Sequence, residues 1–317
     1  MSDDLASPDH AETAAIETRQ LTIGGQLLEV AIRHGDGSGP PLLLFNGIGA
    51  NWELAKPFLE ALRHTTAIIF DVPGVGGSPR PLLPYRPSTL ARLAAGLVAE
   101  LGYAEIDVAG VSWGGGIAQQ FAHQYPKLCR RLVLAATAPG FTMVPASPSV
   151  LWKMATPRRY TDKGYMSSIA ADIYGGAFRD DPSLIGRHAA AMRGARSLGY
   201  LYQLLAMSGW SSLPWLWSLP QPTLVLTGRD DPLIPPINGH ILAGLIPNAE
   251  LRIIDDGHLF IVTQPAETAG IIEAFLADTS RQVAPSSPLS RVAGWVGGLV
   301  STLGGRRDVQ AHQEAKE

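Results

Sequence analysis

Ser112 stands between Gly110 and Gly114 in the stretch DVAGVSWGGGIAQQFAHQYP, residues 107–126. A serine hydroxyl is a weak nucleophile until a base accepts its proton, and that base needs an orienting acid. Glycines two positions to either side suit a sharp strand-to-helix turn, because a Cβ at either place would crowd neighbouring backbone. Such a turn calls for an acid and then a histidine later in the chain, each at a strand end. Asp231 follows the apolar run TLVLTG and His258 follows LRIID, so both fall where that chemistry needs them. Asp230 is the rival acid on the same turn. Adjacent side chains point in different directions, and spacing from Gly228 favours Asp231. Among the other histidines, His10 and His312 fall in the tails, His34 and His64 precede the motif, His123 lies in the helix after it and His188 in a later insertion. His240, inside a helical stretch, is the remaining rival. Asp255 and Asp256 are too close in sequence to His258 to serve it easily and suit a turn or a solvated role. Asp71, in FDVPGVGGS, is placed to brace a loop beside the site.

Attack on a carbonyl also needs donors for the developing oxyanion, and losing one typically costs about a hundred- to a thousandfold in rate. The backbone N–H of Trp113, directly after the serine, is one candidate. The N–H of Ile48, in the loop FNGIGANWE after the third strand, is the second. In that loop Asn46 and Gly47 are supporting residues. The Asn46 amide either fixes the loop by hydrogen bonds or is an ordinary turn residue.

The elements that must carry these residues are legible from periodicity. RQLTIGGQLLEVAIRHG gives two β-rich runs around Gly24 and Gly25, a hairpin signal. PPLLLFNG is a continuous apolar strand of the kind buried on both faces in a parallel sheet. Residues 52–63 form a helix, followed by strand TAIIFD and the turn-rich VPGVGGSPRP. Ser88 is expected to cap an amphipathic helix bearing Leu90, Leu93, Ala94, Leu97, Val98 and Leu101, which Gly102 ends. Strand EIDVAG precedes the serine, a helix stopped by Pro126 follows it, and CRRLVLAATAP is the next strand. From 141 to 218 the alternation stops. This segment holds four of the seven tryptophans and five of the eight tyrosines, and reads as a cap over the C-terminal edge of the sheet. Alternation resumes with QPTLVLTGRDD, a helix near 237–245, strand AELRIIDDGH and a helix from 266 to 278. Repeated strand–helix units of this kind predict a doubly wound α/β fold with a mostly parallel sheet.

The whole chain divides into a polar, disordered tail at 1–18, a core at 19–140 and 219–280, the cap at 141–218, and a C-terminal tail at 281–317. With 46% apolar and 17% charged residues it can bury a substantial core. A net charge of −3 gives no electrostatic reason to expect nucleic acid. The single cysteine, Cys129, suits a small buried side chain at a strand start and a reducing compartment. No secretory signal and no apolar run of about 20 residues is found, so the expectation is a cytoplasmic protein without a membrane span. Neither a metal-ligand cluster nor a full dinucleotide or phosphate-loop spacing is present, so no cofactor is expected.

The motif order resembles that of the α/β-hydrolases. LLLFNGIGANWELAKPF, AGVSWGGGIAQQFAHQYP, LVLAATAPG, LWKMATPRRY, YGGAFRDDP, QPTLVLTGRDDPLIP and IIDDGHLFIVTQP resemble the intracellular medium-chain-length poly(3-hydroxyalkanoate) depolymerases, over residues 20–276. That resemblance implies an α/β-hydrolase fold with an inserted helical cap, a nucleophile at Ser112, an acid at Asp231 and a base at His258. It also implies a polyester substrate held in cytoplasmic storage granules. The tails do not obviously match. In the C-terminal one, Val292, Trp295, Val296, Leu299, Val300 and Leu303 share one helical face, ending at Arg306 and Arg307, and could lie on a granule surface. The competing readings are a small-molecule esterase, a carbon–carbon bond hydrolase or a perhydrolase of the same fold. A non-catalytic granule-associated binding protein is the reading from outside enzymes.

Overall fold

Four consecutive side chains set the architecture. In strand β3, Leu43 and Phe45 point into one apolar layer while Leu42 and Leu44 point into another. Both faces of the strand are covered, which is why the sequence there is an unbroken apolar run and not an alternation. A computed structural model describes residues 15–37, 39–156, 162–181, 183–184, 186 and 197–280. Its eight strands are β1 (Ile16–Ile23), β2 (Gln26–Arg33), β3 (Leu42–Phe45), β4 (Ala67–Phe70), β5 (Ile106–Val111), β6 (Cys129–Ala135), β7 (Thr223–Gly228) and β8 (Ala249–Ile254). They form one sheet in the order β1-β2-β4-β3-β5-β6-β7-β8. β1 with β2 and β2 with β4 are antiparallel, and every later pairing is parallel.

Helices cover both faces. α1 (Lys56–Ala61) lies on the face of Leu42 and Leu44; α2 (Pro87–Glu100) and α3 (Trp113–Gln124) lie on the other. Between β6 and β7 come α4 (Pro148–Ala155), α5 (Lys163–Tyr174), α6 (Ala177–Asp180) and α7 (Ser197–Met207). α8 (Ile237–Leu245) joins the α2–α3 layer, while α9 (Phe260–Thr263) and α10 (Pro265–Ala277) join the α1 layer. Each fully buried leucine or phenylalanine in these layers contributes roughly 1.5–3 kcal/mol. The segment between β6 and β7 has a smaller apolar cluster of its own, with Val150, Met166, Ile169, Ile173 and Phe178 at its centre. Strand order reverses between β3 and β5, so a crevice opens where their C-terminal ends diverge. Open α/β sheets bind ligands at that place.

Three expectations need correction. The hairpin pairs along its full length, Ile16 opposite Arg33, so residues 16–18 of the expected tail belong to an edge strand. Polar Glu17 and Arg19 stand on its exposed side and pair with each other there, so hydropathy does not mark them as strand. The helix expected at 52–63 is a 3-10 turn (Trp52–Ala55) followed by short α1, with Pro57 near the junction. α2 begins one residue before Ser88. Pro87 opens it with its fixed φ, and the Thr89 hydroxyl accepts the Arg86 N–H at 3.4 Å. Cys129 is buried at the first position of β6, as its sequence context predicts. The C-terminal face of Val292, Trp295 and their neighbours lies outside the described residues, as does His188. Among the described residues, no helix is long and apolar enough to cross a membrane.

Candidate active site

Ser112 ends β5 and begins α3 with φ 53° and ψ −120°, a conformation that side chains with a Cβ rarely adopt. Several bonds hold it there. Its N–H donates to the Ala135 carbonyl at 2.9 Å, and its own carbonyl accepts from Gly115 N–H at 2.9 Å and from the Thr137 hydroxyl at 2.6 Å. The flanking glycines provide space and not dihedral freedom. A Cβ on Gly110 would lie 2.5 Å from the Gly114 carbonyl oxygen, and one on Gly114 would lie 2.2 Å from that of Phe45. The strain sits on the serine, and the closeness of α3 to β3 and β5 sits on the glycines.

The other two residues arrive on loops after β7 and β8. His258 Nε2 is 3.1 Å from Ser112 Oγ, and His258 Nδ1 is 2.7 Å from Asp231 Oδ2. Asp231 Oδ1 accepts the N–H groups of Leu233 and Ile234 at 2.9 and 2.8 Å, so the carboxylate is held at both oxygens. Asp231 and His258 are buried and Ser112 is half-buried. Asp230 turns the other way, accepting Gly176 N–H at 2.9 Å and pairing with Arg179 at 2.6 Å. His240 is exposed on α8, and His123 stacks on Trp215 with ring centroids 4.2 Å apart.

The loop after β3 faces the serine. Gly47 lies close to it, since an added Cβ there would be 3.9 Å from that of Ser112. Asn46 ties this loop from both ends of its amide: Nδ2 donates to the Asn51 carbonyl at 2.9 Å and Oδ1 accepts Gly47 N–H at 2.9 Å. Ala50 N–H donates to the Gly47 carbonyl at 3.2 Å. In a trans peptide the N–H of the next residue points opposite to that carbonyl, so this bond also aims Ile48 N–H. Among the described residues, none accepts it. Trp113 N–H lies in the first turn of α3, where helix N–H groups have no partner within the helix and the dipole is positive.

Asp71 braces this loop from below. Its carboxylate accepts Trp52 N–H at 2.7 Å and Gly77 N–H at 3.0 Å. Burial raises its pKa to about 7 against the lowering effect of those two donors. Asp256 is buried and braces a turn, accepting Ala177 N–H at 2.8 Å and Gly257 N–H at 2.6 Å; Asp255 beside it is exposed and meets Arg229.

The segment between β6 and β7 reaches the site in ways the sequence does not signal. At the end of α5, the Tyr174 carbonyl accepts His258 N–H at 2.6 Å. From α7, Gln203 Oε1 accepts Gly49 N–H at 2.7 Å, and its main-chain carbonyl accepts Trp113 Nε1–H at 3.0 Å. Met154, Met166 and Tyr174 from the same segment join Leu54, Leu233 and Leu259 around a cavity that opens on Ser112 and His258. The empty space in and over it, open solvent included, is about 820 Å³. A hydroxyl, an imidazole and a carboxylate joined by hydrogen bonds, beside unpaired N–H groups and an apolar cavity, form an arrangement that can perform acyl transfer. Among the described residues, no group of three or more histidine, cysteine, aspartate or glutamate side chains is placed to hold a metal ion.

Comparison with known proteins gives the same class. The profile of the alpha/beta hydrolase fold family matches residues 40–265. A poly(3-hydroxyalkanoate) depolymerase of Ectopseudomonas oleovorans is 54% identical over 259 residues, covering 81% of this chain and 92% of that protein. A 2-hydroxymuconate semialdehyde hydrolase of Pseudomonas sp. (strain CF600) is 30% identical, covering 81% of this chain and 94% of that one. In fold, the enol-lactonase of Burkholderia xenovorans LB400 superposes with a TM-score of 0.71 at 20% identity, over 82% of this chain and all of that one.

Proposed function

The chain belongs to the α/β-hydrolase family and is an ester hydrolase, and we propose that its substrate is poly(3-hydroxyalkanoate) with medium-length side chains, cut to 3-hydroxy acids or oligomers. One observation carries the reading: the continuous Asp231–His258–Ser112 relay, at 2.7 and 3.1 Å, opens on a cavity with apolar walls. The 54% identity to a depolymerase of that polymer supports it.

The geometry supports the following steps. His258 Nε2 takes the Ser112 proton as Oγ bonds to the ester carbonyl carbon, while Asp231 stabilises the imidazolium through Nδ1–H. The carbonyl electrons move onto oxygen, which rests on the N–H groups of Ile48 and Trp113. Collapse breaks the ester C–O bond, and the departing hydroxyl end of the chain takes the proton from His258. Water then gives a proton to His258 and attacks the acyl-enzyme; a 3-hydroxyacyl acid leaves and Ser112 regains its proton. Residues 141–218 act as the cap, whose methionines and Tyr174 suit alkyl side chains and keep water from the ester. In this reading the partner is the surface of a cytoplasmic polyester granule.

The similarity to a 2-hydroxymuconate semialdehyde hydrolase favours a second reading, carbon–carbon bond hydrolysis by the same serine. Incubation with emulsified medium-side-chain polymer separates the two. The expected result is release of 3-hydroxy acids, lost in Ser112→Ala. An enzyme that cleaves p-nitrophenyl esters yet frees no acid from the polymer refutes the polyester assignment. A fluorophosphonate that fails to label Ser112 points instead to a non-catalytic binding protein.

A further inference from the structure

We infer that Gln203 is a positioning residue for acyl transfer, holding the two stretches that supply the oxyanion donors in one fixed relation. The inference rests on the acyl-transfer reading above and adds to it a residue outside the relay. Gln203 is fully buried on α7, and it touches both stretches at once. Its side-chain Oε1 holds Gly49 N–H, one peptide beyond Ile48, and its main-chain oxygen holds the indole of Trp113.

The chemistry of the amide explains why a glutamine is needed. Gly49 N–H is a donor, so Oε1 must face it, and this orientation leaves Nε2 buried with no acceptor among the described residues. An unsatisfied buried donor costs roughly 1–3 kcal/mol. Leucine or methionine would fill similar volume without that cost. What the amide supplies in return is the acceptor for Gly49. Gly49 itself has φ +71°, so its N–H points where an ordinary residue would not readily send it. The Ile48 peptide is thereby held on two sides: Ala50 N–H orients it from within the loop, and Gln203 fixes the following peptide from the cap. Donors preorganised in this way need no reorganisation when charge develops.

Gln203→Met keeps the side chain's length and removes the acceptor. On a soluble p-nitrophenyl ester, kcat is expected to fall about 10- to 100-fold with KM within about twofold, the pattern of an interaction realised in the transition state. An alkylboronic acid, whose tetrahedral adduct on Ser112 puts oxygen at the oxyanion position, should bind more weakly by the same factor. Trp113→Phe removes the other tie, keeps a ring in place, and should show the same split at a few-fold scale; it serves if the methionine variant does not fold. Unchanged kcat and boronate affinity in a folded variant overturns the inference. So does a rise in KM alone, which would make Gln203 a wall of the ground-state pocket. If the wild-type protein neither binds boronate nor hydrolyses the ester, the acyl-transfer reading falls, and the inference with it.

Discussion

Replacing Ser112 by glycine should stabilise the fold while removing activity, and alanine is the reference that isolates the reason. Both variants lose the hydroxyl and its 3.1 Å contact with His258. Alanine keeps a Cβ at φ 53°, ψ −120°; glycine has none. A non-glycine residue in such a region carries on the order of 1–3 kcal/mol of strain. Glycine's larger loss of freedom on folding offsets about 0.5–1 kcal/mol of the gain. The glycine variant should therefore be more stable than the alanine variant by about 0.5–2 kcal/mol, or roughly 1–4 °C in Tm for a chain of this size. Thermal and urea unfolding followed by circular dichroism measure the difference directly. A glycine variant equal to or less stable than the alanine variant would show that the turn around Ser112 is relaxed and stores no strain.

Two more expectations concern the buried carboxylates. In Asp231→Asn, Oδ1 can keep the N–H groups of Leu233 and Ile234, which leaves Nδ2–H facing His258 Nδ1. The ring must then present Nδ1 as acceptor and Nε2–H toward Ser112, the wrong tautomer, so kcat should drop by a thousandfold to ten-thousandfold at nearly unchanged Tm; a variant within tenfold of wild type refutes the acid assignment. Asp71 has its folded-state pKa raised to about 7, so the native state holds this proton more tightly than the unfolded chain. Its stabilising contribution is complete below the unfolded carboxylate pKa and is lost as pH rises toward 7. Wild type should thus lose about 2–3 kcal/mol more than Asp71→Asn between pH 5 and pH 8, measured by urea unfolding. Parallel losses in the two proteins would exclude Asp71 as the source.

Features set by local period and turn chemistry were legible in the sequence. The apolar runs of β3, β5 and β7, the turn at Ser112, and the placing of Asp231 and His258 after strands all follow from short-range pattern, and the structure brings those three side chains together. The carboxylate of Asp71 also braces a loop, and the amide of Asn46, which the sequence left open between loop-fixing and an ordinary turn role, ties its own. What stayed hidden depends on contacts far apart in the chain. Gln203 and Gly49 are separated by 154 positions. In α7, SLGYLYQLLAM, a pattern reading turns leucines inward and the one amide outward. The fold does the reverse: Leu198, Leu201, Leu204 and Leu205 are 44–50% exposed and Gln203 is buried. Polar demand from an N–H group on another element overrides the helix's own apolar stripe. Asp256, to which its context gave a turn or a solvated role, does brace its own turn at Gly257, but its second donor, Ala177 N–H of α6, lies 79 positions away and leaves no local signal.

The turn at Gly175 and Gly176 has a consequence for any attempt to re-engineer substrate choice. It sits where Asp230, Asp256 and the main chain beside His258 converge, and an added Cβ on Gly176 would fall 2.0 Å from Gly257 N. A chimera grafting a foreign segment between β6 and β7 of this scaffold would have to import that diglycine elbow and its anchoring acids as one module. Without them the imidazole's own backbone would be left untethered, and the transplant would alter the engine along with the lock.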